Sequence, residues 1–191
     1  MAKMTLDEVR AQIDSIDPQI KALLMSRMDC SYHVAEAKAA AGETNIYRAD
    51  REEAILERLG ADVPEVRRAG YLAIVRKIME ISRMYQYGLL YDWIDGLFAE
   101  LAGDLVIPEK TTHVRVRLTR ENRPNAMSSI LSMIGDYGYN MDRMNLIAED
   151  NDENKVTFEL LIIGDLNEKH MKTLMFQLSK ESADFTLIEA Y

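Results

Sequence analysis

Residues 5–41, TLDEVRAQIDSIDPQIKALLMSRMDCSYHVAEAKAAA, decide how this chain folds. Every seventh position gives Leu6, Ile13, Ile20, Arg27 and Val34. The parallel register gives Val9, Ile16, Leu23, Cys30 and Ala37. Together they form the apolar stripe of one long amphipathic helix. Thr5 and Glu8 make a capping-box pattern at its start, and Gly42 marks its end. At 1.5 Å per residue such a helix is roughly 55 Å long, whereas a domain of about a hundred residues is only ~30 Å across. The helix must therefore bend or pack against something outside its own fold, most simply a second copy. Pro18 predicts a bend rather than a break, because the stripe keeps its register on both sides.

Arg27 is the anomaly in this stripe. A guanidinium in a core register costs several kcal/mol to desolvate unless an anion pairs with it. A second helix repeats the pattern: Leu72, Val75, Met79, Ser82, Gln86 and Leu89 form a seam interrupted by two hydrogen-bonding side chains. Polar groups aimed into a helical core from two helices predict a site for a small polar anion. Arg27 and Lys38 lie 11 positions apart, almost three turns, so they point the same way about 16 Å apart. A short helix carrying Arg48, Asp50, Arg51, Glu52 and Glu53, with Ile55 and Leu56 on its inner side, folded across that gap brings Arg51 and Glu52 over the space between them. Arg10 lies 17 positions before Arg27, about 25 Å away. It reaches such a pocket only from the partner in an antiparallel pair of helices.

Composition bounds the rest. With 191 residues the chain suits one or two domains. Its 23 basic and 32 acidic residues, net charge −9, argue against nucleic acid or an anionic membrane as the main partner. An anion site must then be a local basic pocket in an acidic protein. The single cysteine excludes an internal disulfide framework, and no signal peptide or membrane span is visible, which predicts a cytoplasmic protein. Cys30 falls in the apolar register, so a buried, inert thiol is expected. No metal-ligand spacing or nucleophile–base pair is present: His33, His113 and His170 are scattered. Cations, amides and hydroxyls without such a pair suit fixed electrostatic stabilisation of developing charge.

Beyond Gly103 the periodicity changes from helical to alternating. His113–Leu118 and Asn154–Ile163 read as strands, as do Asn140–Ala148 and Phe185–Ala190. Pro124–Tyr137 and Asn167–Ser182 read as helices. The order is βαββαβ, a ferredoxin-like sheet with helices on one face. Met127, Met133, Met141 and Met144 are expected as core filler. Two domains are expected, an all-α region over 1–102, including a linking segment 89–101, and an α+β region over 103–191.

The segment Leu6–Leu90 resembles the all-helical chorismate mutase family. The matching elements are Leu6–Asp17, Ser26-Arg27-Met28, Ala35-Glu36-Ala37-Lys38, Asp50-Arg51-Glu52 and Ile81–Gln86. The resemblance implies an intertwined dimer that converts chorismate to prephenate by a pericyclic rearrangement without a cofactor. It implies that Arg27 and Arg51, with Arg10 of a second subunit, clamp the carboxylates. Lys38 and Gln86 would bond the ether oxygen, Glu52 the ring hydroxyl, and Ser82 the ring carboxylate. Many relatives carry Asp where this chain has Arg48, and one residue is added between Lys38 and Arg51. An isochorismate pyruvate-lyase on the same fold, or a weakly catalytic amino-acid-binding subunit, are the other readings. The second half resembles ACT regulatory domains through Arg123–Met127 and Tyr137–Met141. That resemblance implies Phe or Tyr as effector, with Asn125, Ala126, Met127, Asn140 and Met141 as contacts, or else a purely structural, dimer-forming role. Asn125 stands where such relatives usually have Gly, and Asn also tolerates a left-handed conformation.

Overall fold

The computed structural model describes residues 4–147 and 154–191. The first helix, α1 (Leu6–Ala40), begins with the expected capping box. Thr5 Oγ1 accepts from the Glu8 N–H at 3.3 Å, and the Glu8 carboxylate accepts from the Thr5 N–H at 2.7 Å. These bonds satisfy donors that a helix N-terminus leaves free. The helix runs through Pro18 without a break and ends before Gly42, whose φ of +69° suits glycine. Two further helices follow, α2 (Ala49–Gly60) and α3 (Glu65–Trp93), and α3 packs against both α1 and α2. The linking segment forms a separate helix, α4 (Leu97–Ala102), set off by Gly96 and Gly103, both at positive φ.

The second half is the expected α+β unit: β1 (His113–Glu121), α5 (Ala126–Asp136), β2 (Asn140–Ile147), β3 (Lys155–Ile163), α6 (Lys169–Glu181) and β4 (Asp184–Ala190). Its sheet has the order β2-β3-β1-β4 with every neighbouring pair antiparallel, a ferredoxin-like arrangement. Pairing of Val116 with Leu160 and Leu118 with Phe158 puts one apolar row of each strand on the same face. There they meet Ile130 and Ile134 of α5 and Met171, Leu174, Met175 and Leu178 of α6. On the opposite face Arg117 pairs with Glu159 at 3.2 Å. Met133 is buried and Met141 and Met144 pack on this core, but Met127 is 45% exposed, being turned outward at the start of α5. Ala148 lies outside the described residues.

The halves share packing. Phe176 of α6 joins Ile46, Tyr87, Leu90 and Leu97 in a second buried cluster, with the Tyr87 and Phe176 rings edge-to-face at 5.8 Å. Lys77 of α3 pairs with Asp136 of α5 at 2.5 Å. Among the described residues no helix is long and apolar enough to cross a membrane.

The structure departs from the sequence reading along α1. Every described residue from Met4 to Leu23 is exposed, including Leu6, Val9, Ile13, Ile16 and Ile20. Only Ser31 and Ala35 of this helix are buried. The apolar stripe is present, but no described residue of the chain covers its first half. Cys30, expected to be buried, is exposed. Arg27 is also exposed rather than desolvated in a core.

Candidate active site

The last turns of α1, the loop after it, the start of α2 and the middle of α3 enclose an open cleft of about 500 Å³. Arg27 and Lys38 project into it from α1, Arg51 and Glu52 from α2, and Ser82 and Gln86 from α3. Cys30 and Arg48 also line the wall. Six of the seven residues singled out for catalysis thus border one space. The seventh, Arg10, does not. Its side chain is 66% exposed and lies 3.6 Å from the Asp7 carboxylate.

The helix geometry explains the grouping. Arg27 and Lys38 share the α1 face turned toward α3. Ser82 and Gln86, one turn apart on α3, face back toward it. Ser31 Oγ lies 2.6 Å from Ser82 Oγ and closes the floor between the helices. Gln86 Nε2 donates to Ser82 O at 3.0 Å and to Ser82 Oγ at 3.2 Å. Gln86 Oε1 is buried with no partner among the described residues. A buried acceptor left unpaired calls for a hydrogen-bond donor, which a water or a ligand in the cleft supplies.

The loop between α1 and α2 is held by hydrogen bonds. Lys38 Nζ donates to Asn45 O at 2.6 Å and to Glu43 Oε1 at 2.7 Å. The Lys38 ammonium keeps the Glu43 carboxyl below its ordinary range. An ammonium has three donors, so one is left for a ligand. Tyr87 OH accepts from the Ile46 and Tyr47 N–H groups, both at 3.3 Å. Burial pushes the Tyr87 hydroxyl well above the usual phenol range, so it stays protonated. Arg48 forms an ion pair with Asp50 at 3.0 Å.

The cleft is cationic in an acidic protein. Arg27, Lys38, Arg48, Arg51 and Arg83 face it, against Glu43 and Glu52. No described residue forms an ion pair with the Arg27 or Arg51 guanidinium. Low-dielectric walls and a surplus of positive charge attract and orient an anion.

Arg83 was not among the residues that the sequence singled out. It is 7% exposed, bonds the Glu52 carboxylate on one side and reaches Glu181 of α6 at 2.8 Å on the other. Burial acts against its charge, but Glu181 and Glu52 outweigh that and hold its pKa above the ordinary arginine value. For Glu52, burial raises the pKa, Arg83 pulls it down, and Glu181 and Glu80 add to the rise; the net direction is upward. A usable signal existed. Arg83 falls in step with Met79, Tyr87 and Leu90 on α3, a buried register in which a cation is costly.

The residues assigned to effector binding do not gather at one place: Asn125, Ala126 and Met127 follow the Glu121 end of β1, whereas Asn140 and Met141 pair with Ile163 and Ile162 toward its His113 end. Asn125 has φ +70°, a left-handed conformation, at the N-cap position of α5, where its side chain makes no capping hydrogen bond. Ala126 is buried and Asn140 exposed, while Met141 packs on the sheet core. Two residues before Asn125, Arg123 donates to Tyr47 OH at 2.6 Å, tying this loop to the segment that enters α2.

No curated protein matches the chain by sequence. A solved structure titled "GqqA- a novel type of quorum quenching acylases" is similar at 18% identity and a TM-score of 0.42, over 47% of this chain and 46% of that one. The chain thus spans less than half the length of that structure. For the helical region the comparison is specific: residues 9–87, less than half of the chain, match the family model for chorismate mutase type II.

Proposed function

We propose that the protein is a chorismate mutase, converting chorismate to prephenate within the cleft between α1, α2 and α3. The observation that carries this reading is the convergence of Arg27, Lys38, Arg51 and Gln86 on one open space of about 500 Å³. The substrate is a ring dicarboxylate whose ether C–O bond breaks as a new C–C bond forms. No proton or electron leaves the molecule. The protein therefore needs to select a folded conformer and to stabilise negative charge on the ether oxygen as it develops.

Arg27 and Arg51, lacking ion-pair partners among the described residues, clamp carboxylates, and Ser82 contacts the ring carboxylate. Lys38 offers its third donor to the ether oxygen. Gln86 Nε2, whose amide carries two hydrogens, offers a donor to the same atom. Glu52 accepts from the ring hydroxyl. Arg10 enters from a second copy, for which the exposed apolar face of α1 is a suitable contact. Purified protein treated with chelator is expected to convert chorismate to prephenate at an undiminished rate. Loss of turnover on metal removal, restored by metal, contradicts this reading. Turnover of isochorismate to release pyruvate, without mutase turnover, replaces it with the lyase on the same fold.

The second half acts in this reading as an ACT-like module for Phe or Tyr, and the left-handed Asn125 and the Arg123–Tyr47 bond support it. An effector alters catalysis only through a difference in affinity between two states of the site. Displacing Arg123 from Tyr47 changes the anchorage of the segment that leads to Arg51 and Glu52. Millimolar Phe or Tyr is expected to change the apparent chorismate affinity, and Asn125→Asp or Ala126→Phe to weaken the effect. Calorimetry without binding, together with unchanged kinetics, leaves the half as a structural dimerisation unit.

A further inference from the structure

We infer that Arg83 is a positioning residue that fixes the Glu52 carboxylate at the cleft, and that the C-terminal half completes this arrangement by supplying Glu181. The inference rests on the mutase reading only for the identity of the group that Glu52 receives.

The geometry is three-sided. Arg83 leaves α3 beside Ser82 and meets Glu52 of α2, Glu181 of α6 at 2.8 Å, and the face of Tyr47 at 4.9 Å from the ring centroid. A guanidinium bonded along two edges and stacked on a ring has little freedom. Glu181, 4% exposed, is itself held by Gln177 Nε2 at 2.8 Å, and Gln177 Oε1 accepts from Tyr137 OH at 2.8 Å. Hydrogen bonds thus run from the end of α5 to the cleft wall. Within this chain of contacts Glu52 and Arg83 belong to both the buried network and the cleft assigned to substrate, and Glu52 is the carboxylate of the pair. With one oxygen held by Arg83, its other oxygen is free to accept from a ligand hydroxyl.

Two carboxylates share one guanidinium, so Glu52 and Glu181 compete for it. The other charges around Glu52 are Glu80 on α3, Arg48 and Arg51 at the start of its own helix, and Arg27 and Lys38 across the cleft. Around Arg83 and Glu181 stand Arg120 of β1 and Arg123 after it. Arg120 Nη1 and Glu181 Oε2 are buried without hydrogen-bond partners among the described residues. Arg83 is accordingly the closest compensation for both acids. Removing its charge must make Glu52 harder to ionise. Removing the charge of Glu181 must make Glu52 easier to ionise, because the whole guanidinium then serves it. A residue that merely joins the halves predicts no such opposition.

The test uses the full chain with glutamate carboxyl groups labelled with carbon-13, Glu52 being assigned through Glu52→Gln. Titration by NMR is expected to move the Glu52 pKa up in Arg83→Met and down in Glu181→Gln. Arg83→Lys should restore most of the wild-type value. In parallel, kcat/KM for chorismate should fall by a factor on the order of 10 to 10² in Arg83→Met, with partial recovery in Arg83→Lys. The acid limb of its pH profile should follow the Glu52 titration in both directions. Shifts of the same sign in the two variants, or no shift in either, overturn the inference. Should Arg83→Met not fold, the isosteric Glu181→Gln still decides it by the direction of its shift. A wild-type protein without turnover sinks the mutase reading, and the titration then judges the Arg83 arrangement alone.

Discussion

Replacing Lys38 with alanine is expected to lower kcat by a factor on the order of 10² or more, with KM changing far less. In the substrate the ether oxygen is neutral. Negative charge gathers there only as the C–O bond lengthens. A cation fixed beside it therefore binds the transition state more tightly than the ground state, and that difference appears in kcat. Lys38 is suited to this because it does not have to be brought into position. Asn45 O at 2.6 Å and Glu43 at 2.7 Å hold two of its donors, and its side chain is only 18% exposed. Gln86, reaching in from α3, supplies the second donor, so Gln86→Ala should show the same signature at smaller amplitude. Steady-state kinetics on both variants check the assignment. A change confined to KM shows uniform substrate binding instead, and the assigned role is then wrong. Since Lys38 also anchors the loop before α2, thermal melting should accompany the kinetics to confirm that the variant is folded.

The fold was legible in the sequence wherever the signals were local. The Thr5–Glu8 capping box, the heptad stripe and Gly42 specify a 35-residue helix within a residue or two of its observed ends. Alternation at His113–Leu118 and Val156–Leu160, with helical periodicity between, gives βαββαβ, because a two-residue period cannot be satisfied by a helix. The grouping of Arg27, Lys38, Arg51, Glu52, Ser82 and Gln86 on one cleft also follows from helix spacing.

What escaped was the environment of those positions. Arg27 and Cys30 lie in apolar registers, yet both are exposed, since a stripe shows which residues share a face and not what covers it. Met127 likewise reads as core and lies outside it. The Arg83–Glu181 contact joins residues 98 positions apart across two dissimilar halves, and no periodicity relates them. The rule that draws attention to Arg27 applies with more force to Arg83, four positions after Met79 and four before Tyr87. There the cation is buried and the compensating acids are present.

The other large effect concerns Arg10 and Arg27 together. Arg10→Ala and Arg27→Ala are each expected to be nearly inactive alone, and a mixture unfolded and refolded together to regain activity. Within one chain Arg10 is far from the cleft, about 25 Å from Arg27 along a straight helix, and its nearby acid is Asp7 at 3.6 Å. The face carrying Leu6, Ile13, Ile16, Ile20 and Leu23 is exposed on the same stretch. So continuous an apolar stripe on a helix this long is stable in water when a like stripe covers it. An antiparallel second copy would bury it and would carry Arg10 of that copy toward the cleft. In a two-fold pair each cleft then draws Arg27 from one chain and Arg10 from the other. A mixed pair of the two variants contains one intact cleft and one that lacks both arginines. Random pairing makes about half the pairs mixed, so roughly a quarter of wild-type activity should return. Neither variant refolded alone should gain anything. Subunit exchange can be followed independently with differently tagged chains. No recovery despite exchange rules out the shared cleft, and full activity of Arg10→Ala alone removes Arg10 from the site.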